Sequence, residues 1–194
     1  MVNATTSSRV PGEWKYIPSV ELSRVQNENP VVATHYAADE NWLDTYQMTL
    51  KAGSNFSGIA GSDTLKVILN EKAVELLGLE DPIGASVWIA EDTLSKMQVI
   101  GVVKDFHFQS LHVPLGPVVI TSWNNPVLGI DYFTIRYQEN LPEVLAHIEE
   151  VQKRYVPETP AEINFLDERW ERYYQADQSR SYLILIATVI SIII

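Results

Sequence analysis

The hydrophobic positions of this chain fall mostly in short runs rich in β-branched residues. Val31 to Tyr36, Leu65 to Leu69, Val87-Trp88-Ile89, Met97 to Val103, Val118 to Thr121 and Tyr132 to Tyr137 each have the length and composition of a strand. Val20 to Val25 alternates weakly and reads as an edge strand, and Ala161 to Leu166 reads as a strand with one apolar face. Val99-Ile100-Gly101-Val102-Val103 is apolar throughout, the pattern of a strand buried on both faces. Gly101 inside it marks a bulge or a close backbone approach. From Lys104 to His112 the pattern alternates, with Phe106 and Phe108 on one side and Asp105, His107 and Gln109 on the other. A core strand leaves its sheet here and continues as a polar-aromatic tongue.

Helical signals are fewer. Asp39 is placed to cap a helix over Glu40 to Met48 that buries Trp42, Leu43 and Tyr46. Asn70 caps Glu71 to Leu77, and Gly78 stands where a left-handed residue would let Leu79 fold back on Val74. Asn140, with Pro142 in the first turn, opens a helix whose Leu141, Val144, Leu145, Ile148, Val151 and Tyr155 follow helical spacing. Asp167 caps a last helix in which Glu168 and Arg172 form an i,i+4 pair. Neither glycine nor proline follows it to Ile194, and from Tyr182 onward the chain is uncharged and almost wholly apolar. A spanning helix needs roughly 20 such residues. The tail is too short for that, and it reads as a truncated transmembrane helix of a longer membrane protein; a buried terminal strand or helix is the alternative. Trp170, Tyr173 and Tyr174 then stand at the membrane entry, where such rings favour the interface, or form a packing stripe.

The resulting class is α/β (α+β): a mixed, β-rich middle, then a strand-helix-strand unit feeding a helix. The formal net charge of −11 argues against a nucleic-acid partner, because like charges repel. With no cysteine, thiolate zinc sites, disulfides and thiol nucleophiles are excluded. The N-terminal residues lack the apolar core of a signal peptide. No phosphate-binding GxxxxGK[ST] loop and no GxSxG elbow occur. The acidic residues are scattered, as on a solvated face. Trp42, Trp88, Trp123, Phe106 and Phe108 read as core. Asp105, His107 and His112, with His35 as a further ligand, are the one cluster resembling a metal site. The alternative role for such residues is hydrogen bonding that pins a loop. No cofactor is expected.

Three clusters in order carry a resemblance. They are Leu69-Asn70-Glu71-Lys72-Ala73 through Leu77-Gly78-Leu79-Glu80-Asp81-Pro82-Ile83-Gly84, then Ile100 through His112 with its GVVKDFHFQSLH tongue, then Phe165-Leu166-Asp167-Glu168 ahead of the apolar tail. Over roughly residues 31–194 the chain resembles the extracytoplasmic core domain of MacB/FtsX-type ABC transporter permeases. Ser54 and Ala85 depart from it, since basic residues are usual at both positions in that family.

The resemblance implies a porter-like strand-helix-strand subdomain with an inserted β-rich subdomain, leading into a transmembrane helix. Residues 1–18 would supply a partial strand of the porter-like part, 19–113 the insertion, 114–168 the second porter-like half, and 167–194 a lever helix entering the membrane. The first membrane helix and the opening porter-like elements would be absent. It further implies a bacterial inner-membrane protein facing the periplasm, without catalysis of its own. Its partners would be an ATPase subunit, a second permease copy and, through the C-terminal helix, the lipid bilayer. The cargo would be a peptide, lipoprotein or hydrophobic small molecule, moved by mechanical transmission. Lys104, Asp105, Phe106, His107 and Phe108 would brace the subdomains, and Asp167, Glu168, Trp170 and Arg172 would belong to the lever. Two rival readings are a metal-dependent periplasmic enzyme using Asp105, His107 and His112, and a soluble binding module.

Overall fold

Among the described residues the chain forms nine short strands and three helices, many of them where β-branched runs and capping residues point. The computed structural model describes residues 2–12, 18–26, 28–90, 94–108, 113–126, 129–138 and 140–167. The elements are β1 (Asn3–Ser7), β2 (Ser19–Ser23), β3 (Val31–Ala38), α1 (Trp42–Thr45), β4 (Leu50–Gly53), β5 (Lys66–Asn70), α2 (Glu71–Leu76), β6 (Ser86–Ala90), β7 (Leu94–Val103), β8 (Val118–Ser122), β9 (Tyr132–Arg136) and α3 (Leu141–Tyr155). They divide into two units, Met1–Ile148 and Glu149–Ile194.

The first unit is built on a closed barrel. Its strands run in the order β2-β6-β7-β5-β8-β3, and β2 pairs again with β3 to complete the ring. β3–β8 and β5–β7 are parallel, and the other barrel pairs are antiparallel. Val20 to Val25 was expected at an edge; instead β2 is the closing strand, bonded on both sides. Closure removes the open edges that a flat sheet would leave. Alternate residues point inward and form one core, including Leu22, Ala33, Val67, Leu69, Ile89, Met97 and Val99, joined by Ala73 of α2 and by Leu77 just after it. β8 lies beyond residue 113 in the chain, yet it sits between β5 and β3.

The outer wall of β3, β5 and β8 carries a second core. Tyr36, Ile68, Val103, Val118 and Ile120 meet Trp42 and Leu43 of α1 there, with Phe56 and Phe108. β7 serves both cores because it bulges: Val67 is level with Val99, but Ile68 is level with Gly101. The extra residue reverses the alternation, so Val99 points inward and Val103 outward. At the bulge β4 crosses β7 very closely. A Cβ on Gly101 would lie 2.5 Å from the Ser54 carbonyl oxygen, and one on Gly53 2.1 Å from that of Ile100. Gly53 also has φ +75°, a conformation natural to glycine. Leu50–Gly53 pairs antiparallel with β7 along this approach.

Several local signals act as read. Asn70 caps α2, and Leu79 N–H donates to Val74 O at 3.1 Å beyond Gly78, which has φ +61°. Others do not. The helix expected over Glu40 to Met48 shrinks to α1, whose N-cap position, Asn41, makes no side-chain cap bond. Trp123 is 44% exposed rather than core. Asn140 has φ +61°, and its amide donates to the Glu143 carboxylate, the reverse polarity of a conventional cap.

β1 pairs with β3 only at Ser7↔Ala38 but with β9 along its whole length. The two make a ribbon off the barrel. In the second unit, α3 continues to Tyr155, held by surface pairs such as Arg154–Glu150 at 3.0 Å. Residues 161–165 form no strand, since alternation without a partner edge to bond gives none. Asp167 lies inside a helical turn that has already begun at Leu166. Among the described residues no helix is long and apolar enough to cross a membrane. Glu168, Trp170, Arg172 and the tail from Tyr182 lie outside the described residues.

Candidate functional site

The first two of the three clusters that carry the sequence resemblance meet at the mouth of the tongue. β5 ends and α2 begins at Asn70, which is fully buried. Its Oδ1 accepts from Ala73 N at 3.0 Å and from Val118 N at 2.8 Å. Its Nδ2 donates to Gly116 O at 2.9 Å and to Asp105 Oδ1 at 2.8 Å. One side chain thus ties together β5, α2, β8, the linker before β8 and the start of the tongue. All its hydrogen-bonding capacity is used, as burial of an amide demands.

Asp105 completes the latch. Its Oδ1 also accepts from Lys72 N at 2.9 Å, and its own N–H donates to Glu71 Oε2 at 3.2 Å. Glu71 pairs in turn with Lys51 of β4. The Lys51 hydrogen bond, and after it the Asp105 N–H, hold the Glu71 carboxyl below its ordinary pKa. Lys104 keeps its side chain in solvent while its N–H donates to Thr49 O at 2.9 Å.

Beyond Asp105 the tongue is seated by aromatic rings. Phe106 meets Trp42 edge-on at 6.1 Å, Phe108 meets Tyr36 at 6.4 Å, and the two phenylalanines meet each other at 6.0 Å. Each such pair contributes about 0.5–1.5 kcal/mol beyond its buried area. Phe108 O accepts from Gly12 N at 3.0 Å, so the N-terminal segment also rests on the tongue.

The structure separates the other residues of the suggested metal cluster. Asp105 is committed to the latch and His107 is exposed. His35 is buried in β3 and shares a 2.8 Å hydrogen bond with Thr121. Burial lowers its pKa from 6.5 to about 4, so it is neutral. Among the described residues no three His, Asp or Glu could hold a metal ion. His112 and Gln109 lie outside the described residues.

Sequence reasoning missed two anchors. Asp39 was read as a helix cap, but it reaches across to β1: it accepts from Thr6 N at 2.8 Å, from the Thr5 hydroxyl, and from Asn41 N at 3.1 Å. It thereby fixes the ribbon to the barrel. Asn70 was read as a cap alone. Its bond to Asp105 joins residues 35 apart, which no local pattern reveals.

Solved structures that share this fold include three transporter domains. The periplasmic region of MacB from Actinobacillus actinomycetemcomitans aligns with TM-score 0.54 and 20% identity, over 78% of this chain and 65% of that one. The extracellular domain of the noncanonic ABC-type transporter YknZ from Gram-positive bacteria aligns with TM-score 0.57 and 15% identity, over 81% and 78%. A domain of a protein described as a permease, from Porphyromonas gingivalis, aligns with TM-score 0.52 and 18% identity, over 79% and 64%. The chain thus spans just under two thirds of the MacB region and of the Porphyromonas domain. No family model and no curated protein matches the sequence. The chain shares the fold of the MacB region and of these other domains, the likeness that the sequence motifs suggest.

Proposed function

We infer that a chain with this fold is the periplasm-facing part of an ABC transporter permease subunit, and that it transmits movement and catalyses nothing. The observation that carries the reading is the latch. The tongue is tied to the barrel at Asn70 and seated on Trp42 and Tyr36, so the barrel and the segments resting on the tongue move as one body. That is the property a mechanical relay needs.

The domain division follows the same logic. Residues 1–18 and the stretch after Ser122 are read as two pieces of one porter-like subdomain, which the β1–β9 pairing supports. Residues 19–113 together with β8 are the insertion. From Asp167 on, the sequence has neither glycine nor proline to absorb a tilt, and it is the route by which membrane movement reaches the outer part. ATP hydrolysis belongs to a partner subunit. A paired permease copy, an inner-membrane location, and export or extraction of a peptide, lipoprotein or hydrophobic small molecule complete the reading.

Tagging the protein in its bacterium tests this. The expected result is a membrane-fraction protein, cleaved by protease added to spheroplasts, that co-purifies with an ABC ATPase. A soluble protein with no ATPase attached would overturn the reading.

A further inference from the structure

One stretch of the barrel's outer wall gathers lysine and hydroxyl side chains in an otherwise acidic chain. An open cleft of about 490 Å³ lies over β5, β6 and β7, bordered by the 61–65 turn. Strand register builds it. Lys66 is level with Gln98, and Gln98 with Ser86, so three polar side chains form one row across three strands. The next row pairs Lys96 with Trp88, and the Lys96 ammonium stands 5.9 Å from the Trp88 ring centre. Ser62 and Thr64 add hydroxyls from the turn.

Among the described residues no carboxylate lines the cleft, although the chain carries a net charge of −11. The nearest acid in sequence, Asp63, is buried and already engaged. It accepts from Lys66 Nζ at 2.9 Å and from Ser57 N and Oγ at 2.6 and 2.7 Å. Burial would raise its pKa, but the Lys66 and Ser57 hydrogen bonds outweigh this and hold it low. Lys66 is thereby fixed in position with two N–H groups to spare. Lys96 is exposed and has no carboxylate partner among the described residues. Leu65, half exposed, gives the lining an apolar side.

We propose that this cleft binds an oxyanion, a phosphate or carboxylate, borne on a molecule with a short apolar segment. Lys96, Lys66, Ser86 and the turn hydroxyls hold the anion, and Leu65 takes the apolar part. Lys96 without a carboxylate partner, Lys66 with N–H groups to spare beside its Asp63 pair, and several neutral donors facing one space favour an anion. The assignment stands independently of the transporter reading, since nothing in it depends on a membrane or an ATPase.

Trp88 supplies the readout. Hexyl phosphate titrated into the full chain, at ionic strength held constant with sodium chloride, should change tryptophan fluorescence saturably. The signal should vanish in Trp88→Phe. Lys96→Gln, an exposed substitution whose folding circular dichroism checks, should weaken binding about tenfold, as expected for one charge-assisted hydrogen bond. Inorganic phosphate should bind more weakly than hexyl phosphate. Co-sedimentation with phosphatidylcholine vesicles, with and without phosphatidic acid, separates the sources. Lys96-dependent sedimentation only with phosphatidic acid identifies a lipid headgroup, and binding of hexyl phosphate alone identifies a soluble anion. No saturable change with either probe, or equal binding by Lys96→Gln, overturns the proposal.

Discussion

The barrel and the ribbon are written in the same residues and end up with opposite surfaces. In the barrel every strand is bonded on both sides, and Val67, Leu69, Ile89 and Val99 are fully buried. In the ribbon β9 has one strand neighbour among the described residues, and Phe133 is 82% exposed. Both segments are rich in β-branched and aromatic residues. Closure, not composition, decides which of them is sealed. The ribbon's hold on the barrel is correspondingly local: one backbone pair at Ser7↔Ala38, the Asp39 bonds to Thr5 and Thr6, and contacts such as Tyr46 Oη to Thr134 Oγ1 at 2.9 Å.

This contrast can be broken first at the barrel's tightest point. Gly53→Ala places a methyl group against the Ile100 carbonyl at a positive φ. It should cost about 3 kcal/mol or more, because backbone must move to relieve the clash. Urea denaturation measures this, and a loss below about 1 kcal/mol would mean that the β4–β7 approach is looser than described.

Acid should loosen the barrel next, through His35. Its folded pKa of about 4 lies below the ordinary 6.5, so the unfolded chain binds the proton first. The stability linked to this group is complete above pH 6.5 and is lost as pH falls toward 4. Between pH 6.5 and 5 the loss should be about 2 kcal/mol, before most carboxylates titrate. His35→Gln should flatten that slope. An unchanged slope would place the titrating group elsewhere.

Asp39→Ala should act mainly on the ribbon, costing the turn before α1 only the Asn41 N–H bond. Backbone amides of β1 and β9 should exchange faster, by an amount equivalent to about 1 kcal/mol, while those of β5 and β7 keep their protection. Equal loss in both regions would show that the ribbon and barrel unfold as one unit.

How much of this was legible in the sequence divides along the same line. Strands such as β3, β5 and β6, and the Asn70 cap and Gly78 ending of α2, rest on signals a few residues long, and they appear where read. What was missed is nonlocal. The return of β2 to β3 and β6 closes the barrel, but Val20 to Val25 alone looks like an edge. Ala161 to Leu166 alternates as a strand does, yet finds no neighbour to pair with. Asp39 carries the chemistry of a cap and spends it on a strand more than 30 residues away. At the candidate site, Phe106 and Phe108 were placed on the correct face by alternation, whereas the partner of Asp105 had to be seen in three dimensions.

An isosteric double-mutant cycle asks whether Asn70 and Asp105 lock the tongue to the barrel. Asn70→Asp keeps the acceptor for Ala73 and Val118 but turns a donor into a carboxylate facing Asp105. It should destabilise the protein by about 2–3 kcal/mol. Adding Asp105→Asn restores that one donor–acceptor pair, while Gly116 O and Lys72 N stay without their partners, and should recover about 1 kcal/mol of that loss in urea denaturation. Recovery on that scale is the result the account predicts; strictly additive losses would contradict it.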